Sequence, residues 1–246
     1  MKKNHILTAL ALAAFLGLAV TAFTAESPAG AVLTGKIVQL YDNSCLIAGS
    51  GASDLYMVSS KLDLYDQSGH AVDAPALRRG MNVEVRYSGT VMATYPAQLG
   101  APASLKITGQ DDDLVGFYQG VLDRLWDTDE GLNTDAGMLA FDLSKVTNLT
   151  DAEKSALVYV VSNSHRLQGI TGTFDELCRQ GYIDRQQLYF KSGVLFTIRL
   201  TDVTENSFTF DAKKWRSGDG AYMFLGCKAV KGAAGWSYTA GGCAVS

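Results

Sequence analysis

Between residues 32 and 109, apolar side chains recur mostly at every second position, which is typical of half-buried β-strands. The clearest case is the alternation of Val83, Val85 and Tyr87 with polar or charged neighbours. Short polar or glycine-containing turns separate these runs. A set of short strands predicts a small antiparallel β-barrel, closed or nearly closed, because closure removes exposed strand edges. The predicted strands cover residues 32–41, 45–48, 54–59, 83–87 and 105–108.

The pattern changes to helical spacing after residue 112. Apolar side chains three and four residues apart from Leu114 to Leu125 define the stripe of an amphipathic helix, and Asp112 or Asp113 is suited to cap its start. Two further helix starts carry a reciprocal capping box, in which Thr and Glu accept hydrogen bonds from each other's backbone N–H groups. The two capping boxes are Thr150 with Glu153 and Thr173 with Glu176.

From residue 188 onward the chain returns to strand patterns that are separated by glycine-containing turns. Helices followed by consecutive strands predict an α+β domain, with the helices packed on one face of an antiparallel meander. The expected fold class is therefore α+β, with a barrel at residues 32–109 and an α+β domain at residues 112–246. The predicted strands of this domain cover residues 188–190, 194–200, 208–212, 221–230 and 236–240.

Residues 208–224 form the most specific stretch of the second domain. Both ends read as strands, and glycines on either side of residue 219 supply the backbone freedom that a tight reversal needs. The pattern predicts a hairpin with a polar tip at residues 213–220. An aromatic ring flanked by basic groups is typical of binding hot spots. The predicted ligand-binding residues of this tip are Lys213, Lys214, Trp215 and Arg216.

An alternative interpretation gives the same tip a structural role. Trp215 would then pack in the core, and the cations would pair with acids such as Asp211 and Asp219. A second candidate ligand-binding surface is Tyr95, next to Pro96 on the predicted barrel.

Two acidic stretches superficially resemble metal sites. Asp111, Asp112 and Asp113 directly precede the first predicted helix, where negative charge favours a helix start. Residues 127–135 resemble a calcium loop. Such a loop requires a bidentate Glu at its twelfth position, and in this chain that position is occupied by Met138. We therefore predict a cap and linker in the first case, a polar helix-to-helix loop in the second, and no metal.

The N-terminus has the pattern of an export signal. Two lysines precede an apolar run at residues 6–23, and Ala22 and Ala25 mark two possible cleavage sites. We expect a signal peptide at residues 1–25 and a tether at residues 26–31. An uncleaved anchor is the alternative, because the run is long enough to span a bilayer. Both place the rest of the chain outside the cytoplasm.

The charge of the chain limits the binding partners that are expected, and its cysteine content limits the expected disulfide bonds. Without Lys2 and Lys3 the chain has 21 − 2 = 19 basic residues against 25 acidic ones, a formal charge of −6. Such a chain gains nothing from counterion release on a polyanion, which argues against nucleic acid as a partner. The four cysteines are too sparse for a disulfide framework. The sequence does not decide between two alternatives: a disulfide bond between Cys227 and Cys243, or isolated buried thiols.

Catalytic motifs are scarce. Outside the predicted signal peptide, His70 and His165 are the two histidines that could act as a general base near neutral pH. No nucleophile motif lies near either of them in the sequence. The sequence has no phosphate loop, nucleophile elbow or His-Glu-X-X-His motif. Its many carboxylates leave a glycosidase-like pair open, although none stands in a diagnostic context. We predict no catalytic residue and no cofactor.

Local patterns also carry resemblances to known families. Residues 34–38 (TGKIV), 79–85 (RGMNVEV) and 94–98 (TYPAQ) resemble small OB-like barrel domains of exported bacterial proteins, which implies fold and location but no activity. Residues 213–218 (KKWRSG) resemble the C-terminal domain of uncharacterised secreted proteins from Gram-positive-type bacteria. The order of helices and strands is similar to cystatin-like and NTF2-like folds.

These patterns predict an exported, non-catalytic cell-envelope protein that binds an envelope protein, peptide or glycan. Two other functions stay open: a secreted hydrolase that uses carboxylates, and a protease inhibitor, which the cystatin-like order suggests. The sequence also predicts that the barrel and the second domain fold around separate hydrophobic cores.

Overall fold

The structure, a computed structural model, describes residues 30–51 and 54–246. The predicted signal peptide at residues 1–25, and the predicted tether up to residue 29, lie outside the described residues. Strands make up 47% and helices 19% of the described residues, so the protein is mostly β and the predicted α+β class is wrong. No helix in the described part of the chain is long and apolar enough to span a bilayer.

The first sheet contains nine strands: β1 (Ala31–Tyr41), β2 (Ser44–Gly49), β3 (Leu55–Ser59), β4 (Asp63–Tyr65), β5 (Ala71–Val72), β6 (Met81–Tyr87), β7 (Val91–Met92), β8 (Ala97–Leu99) and β9 (Ser104–Gln110). Their order is β5-β4-β9-β6-β1-β2-β3-β8-β7, which is an open path with β5 and β7 at its edges. Two pairs are parallel, β3 with β8 and β4 with β9.

The prediction of a closed, antiparallel OB-like barrel is therefore wrong. The sheet does curl around a core of its own, because Leu64 of β4 and Leu99 of β8, from opposite ends of the strand order, belong to one hydrophobic cluster. Alternation along a strand decides which side chains face the core, but it does not decide which strands pair at the edges.

The second half contains three helices and seven strands: α1 (Leu114–Asp127), β10 (Met138–Lys145), α2 (Asp151–Ser164), β11 (Gln168–Thr171), α3 (Phe174–Arg179), β12 (Gly193–Thr201), β13 (Ser207–Ser217), β14 (Gly220–Gly232), β15 (Gly235–Thr239) and β16 (Gly242–Val245). The sheet order is β11-β10-β12-β13-β14-β15, and β16 pairs with β14. β10 runs parallel to both β11 and β12, so the sheet is mixed and the predicted antiparallel meander is wrong.

The cause of this difference is β10, a strand that the sequence analysis did not predict. It is connected through α2 to the parallel strand β11, and parallel neighbours require such a crossover. The loop after α1 consequently leads to a strand, and the predicted helix-to-helix loop is also wrong.

The predicted helix starts are confirmed. Asp113 precedes α1, and its Oδ1 accepts a hydrogen bond from the Gly116 N–H at 2.9 Å. Both capping boxes form at the starts of α2 and α3. Each aspartate of the preceding cluster also forms an ion pair that ties the linker to a strand or a neighbouring turn: Asp111 with Lys36 at 2.7 Å, Asp112 with Lys231 at 2.6 Å, and Asp113 with Arg79 at 3.0 Å.

The first sheet encloses a cluster of its own, but a second cluster contains residues of both halves, so the two halves are not built on fully separate cores as predicted. Helices α1 and α2 lie between the two sheets, where one cluster joins Leu46 of β2, Leu122 of α1, Leu157 of α2 and Phe196 of β12. A smaller cluster lies on the far face of the second sheet, beneath α3. That far face is only partly covered, and the candidate site lies there.

Candidate functional site

The four predicted ligand-binding residues of the second half lie within β13, not at a hairpin tip. The strand continues almost to the turn, which consists only of residues 218–219. Because side chains alternate along a strand, Lys213 and Trp215 lie on one face of the second sheet, and Lys214 and Arg216 lie on the other. The two pairs therefore meet different surroundings.

Lys214 is fully buried, and its ammonium group is enclosed by oxygen atoms. Its Nζ donates to the backbone carbonyls of Trp126, Thr128 and Asp129 at 3.0, 2.5 and 3.0 Å. Oδ1 of Asn133 lies 3.0 Å from the same Nζ, so the four oxygens share its three N–H donors. All four oxygens belong to residues 126–134, called here the 126–134 loop, which comprise the C-terminal end of α1 and the segment that leads from it towards β10. Lys214 thus holds this loop against the sheet.

The 126–134 loop overlaps the segment that resembles a calcium loop. The structure shows that its carbonyl oxygens converge on a cation, and that the cation is the protein's own Lys214. Burial lowers the pKa of Lys214 to about 8, and the negative charges of Asp129, Asp127 and Glu130 oppose this effect.

Arg216 supports the same loop from the next position on this face. Its guanidinium donates to the Leu132 carbonyl at 3.0 Å and to the Thr134 carbonyl. It also donates to the Lys191 carbonyl at 3.2 Å, which connects the loop to the turn before β12. The side chain is 9% exposed. Arg216 and Lys214 are therefore engaged with protein oxygens instead of being presented to solvent.

The opposite face of the second sheet carries a groove of about 390 Å³. Its floor is a row of neighbouring residues from four strands. Asp142 of β10 pairs with Thr197 of β12, Thr197 with Lys213 of β13, and Lys213 with Met223 of β14. Directly paired residues point to the same face of a sheet, so the register brings these four side chains together.

One end of the groove is apolar. The next row of the sheet pairs Leu195 with Trp215, and Phe174 of α3 packs edge-on against the Trp215 ring with centroids 5.2 Å apart. Leu188 closes this end from the chain segment before β12. Trp215 is only 8% exposed and belongs to the cluster beneath α3, so it forms part of the wall.

The other end of the groove is charged. Arg199 of β12 lies opposite Asp211 of β13, whose Oδ1 accepts a hydrogen bond from the Gly226 N–H at 2.7 Å. Burial and the charge of Arg199 both lower the pKa of Lys213. Within residues 30–51 and 54–246, neither Lys213 nor Arg199 forms a salt bridge or a side-chain hydrogen bond. Two neighbouring cations of the groove are thus not engaged in a salt bridge, although the carboxylate-bearing Asp211 lies opposite Arg199.

The groove combines charge and apolar surface, and neither His70 nor His165 lines it. His70 lies in an exposed turn, and His165 ends α2 with its Nε2 3.0 Å from Oδ1 of Asp123. All four cysteines are free thiols, so Cys227 and Cys243 are not bonded to each other. In the part of the chain that the structure describes, no cluster of three or more His, Cys, Asp or Glu side chains is arranged to hold a metal ion.

Tyr95 lies apart from this groove, in the loop between β7 and β8. Its side chain is 67% exposed, and its ring lies edge-on to Tyr159 of α2 with centroids 5.9 Å apart. Tyr95, Leu167 and Gly169 border a second depression of about 560 Å³. The structure therefore does not bring Tyr95 together with the predicted residues of β13.

Sequence reasoning selected only Lys213 and Trp215 among the residues that line the groove, and it missed Asp142, Phe174 and Arg199 among others. A signal for Arg199 exists in β12, where Leu195, Thr197 and Arg199 alternate with apolar residues that face the shared core. No such signal was available for Asp142, because β10 itself was not predicted.

Comparison with protein-family models, with curated proteins and with solved structures finds no match to this chain. Membership in a family of uncharacterised secreted bacterial proteins stays a prediction. The function must therefore be argued from the geometry of the groove.

Proposed function

We propose that the protein is an exported, non-catalytic cell-envelope module, and that the groove binds a peptide or an extended segment of an envelope protein. The N-terminal sequence pattern supports the location. One observation supports the site: Lys213 and Arg199 are neighbouring cations in the groove, and neither forms a salt bridge with any described residue. Like charges at close range repel each other, so an anionic ligand group stabilises both.

A polypeptide fits this groove better than a glycan does. Trp215 is only 8% exposed, which leaves little ring face for a sugar to stack on. Leu188, Met223 and Leu225 instead offer aliphatic surface around the groove. Apolar side chains of a peptide are suited to such surface, and burying them there supplies affinity.

Blocking the groove tests this proposal. Thr197 lies half-buried in the middle of its floor, and Thr197→Trp would fill the space above the sheet. The matched control is Thr209→Trp, because Thr209 is half-buried on the same face of the adjacent strand but does not line the groove. Each variant would be expressed with its leader in a Gram-positive host, recovered from outside the cytoplasm, and mixed with envelope extract.

Mass spectrometry would then identify the material that co-purifies with each variant. We expect the Thr197→Trp protein to lose a polypeptide that the wild-type and Thr209→Trp proteins retain. Retention of every ligand by Thr197→Trp would show that the groove is not the binding site. Recovery of the protein only from the cytoplasm would refute the proposed location.

A further inference from the structure

We infer that the groove recognises an extended peptide in which an acidic residue and a bulky apolar residue are separated by one residue. This inference rests on the proposed function and adds the chemistry of the ligand. It follows from the order of groups along β13 and from the charges that surround them.

The spacing comes from the strand itself. Lys213 and Trp215 are two positions apart on β13, so their side chains leave the same face about 6.6 Å apart. An extended ligand that runs along β13 repeats this spacing between its own residues i and i+2. One ligand side chain then lies over Lys213, while the next one on that face reaches the apolar end beside Trp215, Phe174 and Leu188.

The charges assign a carboxylate to the first position. Lys213 is directly opposite Thr197, and Arg199 is its diagonal neighbour across the strand pair. Diagonal neighbours are about 7–8 Å apart and within reach of long side chains. A ligand carboxylate can therefore accept hydrogen bonds from Lys213 and Arg199 together, and charge-assisted hydrogen bonds are the stronger kind.

The flanking acids limit how much negative charge the ligand carries. Asp142 lies two strands from Lys213 in the same row, and Asp211 precedes Lys213 on the same face. A dense polyanion brings further negative groups near these carboxylates, where like charges repel. A single acidic side chain next to an apolar one avoids this repulsion, so the groove selects against polyanions.

Dye-labelled pentapeptides test each element of the inference by fluorescence anisotropy with the exported protein. The reference probe is Ala-Glu-Ala-Phe-Ala. Ala-Gln-Ala-Phe-Ala removes only the charge, Ala-Glu-Ala-Ser-Ala removes the apolar group, and Ala-Glu-Phe-Ala-Ala changes the spacing. We expect the reference probe to bind, and each altered probe to bind about tenfold more weakly.

Protein variants provide the matching half of the experiment. We expect Lys213→Met or Arg199→Met to lower the affinity for the reference probe about tenfold and to leave the affinity for the Gln probe unchanged. The control is Lys228→Met, an identical substitution at an exposed position of β14 outside the groove, which should bind like the wild type.

The two proposals fail in different ways. Equal binding of the Glu and Gln probes, with both sensitive to Thr197→Trp, refutes the acidic ligand and leaves the groove as the binding site. If no peptide binds and the Thr197→Trp protein fails to retain an envelope oligosaccharide that the wild type retains, the proposal that the ligand is a peptide is refuted. Peptide binding that is insensitive to Thr197→Trp refutes both proposals.

Discussion

Lys213 and Lys214 are adjacent in the sequence and chemically identical, yet the two faces of the second sheet give them different roles. Lys214 is fully buried and donates to four oxygens of the 126–134 loop. Lys213 is half-buried and has no acceptor among the described residues. Burial lowers the pKa of both lysines, so burial alone does not separate them.

The difference between the two faces is the supply of oxygen acceptors. A buried cation with fixed acceptors stabilises the fold, because removing it leaves those acceptors unpaired. A partly buried cation without acceptors stabilises nothing in the free protein and is available to a ligand. The following substitutions test this division, and they begin with the largest expected effect.

Lys214→Met should lower the free energy of unfolding by about 3 kcal/mol, since it leaves four oxygens without their donor in a buried site. Urea denaturation of the purified protein measures this change. The control is Lys213→Met, the same substitution one residue earlier, which should change stability by less than about 0.5 kcal/mol. Equal losses for the two variants would contradict the division of roles.

Arg216→Met should lower the free energy of unfolding by about 2 kcal/mol, because three carbonyl groups lose a charged donor. Its counterpart on the groove face is Arg199→Met, for which denaturation should show almost no change. A loss for Arg199→Met as large as that for Arg216→Met would mean that Arg199 has a structural partner.

Asn133→Ala removes one of the four oxygens around Lys214, together with the hydrogen bond that its Nδ2 donates to the Trp126 carbonyl at 2.8 Å. We expect a loss of about 1 kcal/mol, because the three backbone carbonyls remain. In the Lys214→Met background the same substitution should cost less, since the Oδ1 atom has already lost its donor. A double-mutant cycle measures this coupling, and strict additivity would show that it is absent.

The two lysines should also respond to pH in opposite ways. In the folded protein Lys214 loses its proton at about pH 8, whereas in the unfolded chain it keeps the proton to about pH 10.5. The unfolded state binds more protons between these values, so the contribution of Lys214 to stability rises with pH across this window. The free energy of unfolding of the wild-type and Lys214→Met proteins, measured at a pH below this window and at a pH within it, gives the size of this rise.

For Lys213 the pH dependence concerns binding. A ligand carboxylate favours the protonated lysine and raises its pKa, so affinity should fall as the pH rises through the lowered pKa of free Lys213. Anisotropy titrations of the Glu probe across the alkaline range measure this fall, and the Gln probe is the control. Affinity for the Glu probe that does not change with pH would remove Lys213 from the binding site.

Some parts of the structure were predictable because they depend on neighbours in the sequence. The capping boxes at Thr150 and Thr173 join residues three apart, and both form. Strand β12 was predicted because its apolar residues alternate over a long run. β10 was not predicted, and the parallel pairing that it introduces made the expected meander wrong.

The candidate site was predictable only in part. Lys213 and Trp215 were predicted to bind a ligand because an aromatic ring flanked by basic residues is typical of binding hot spots, and both line the groove. Lys214 and Arg216 were selected for the same reason, but all of their acceptors except the Lys191 carbonyl lie in a loop more than 80 residues earlier in the chain. Nothing in the local sequence indicates that this loop directs its carbonyl groups towards β13.

The sequence by itself determined the helix starts and most of the strands, whereas the extension of β13 that separates Lys213 from Lys214 was not predicted. The predicted features depend on backbone geometry and on side chains a few residues apart. Only the tertiary structure decided which strands pair, that both halves contribute to the hydrophobic cluster between the sheets, and which cation meets oxygen acceptors. The physical reason is that pairing, burial and charge solvation join segments far apart in the chain, whose meeting no local pattern specifies.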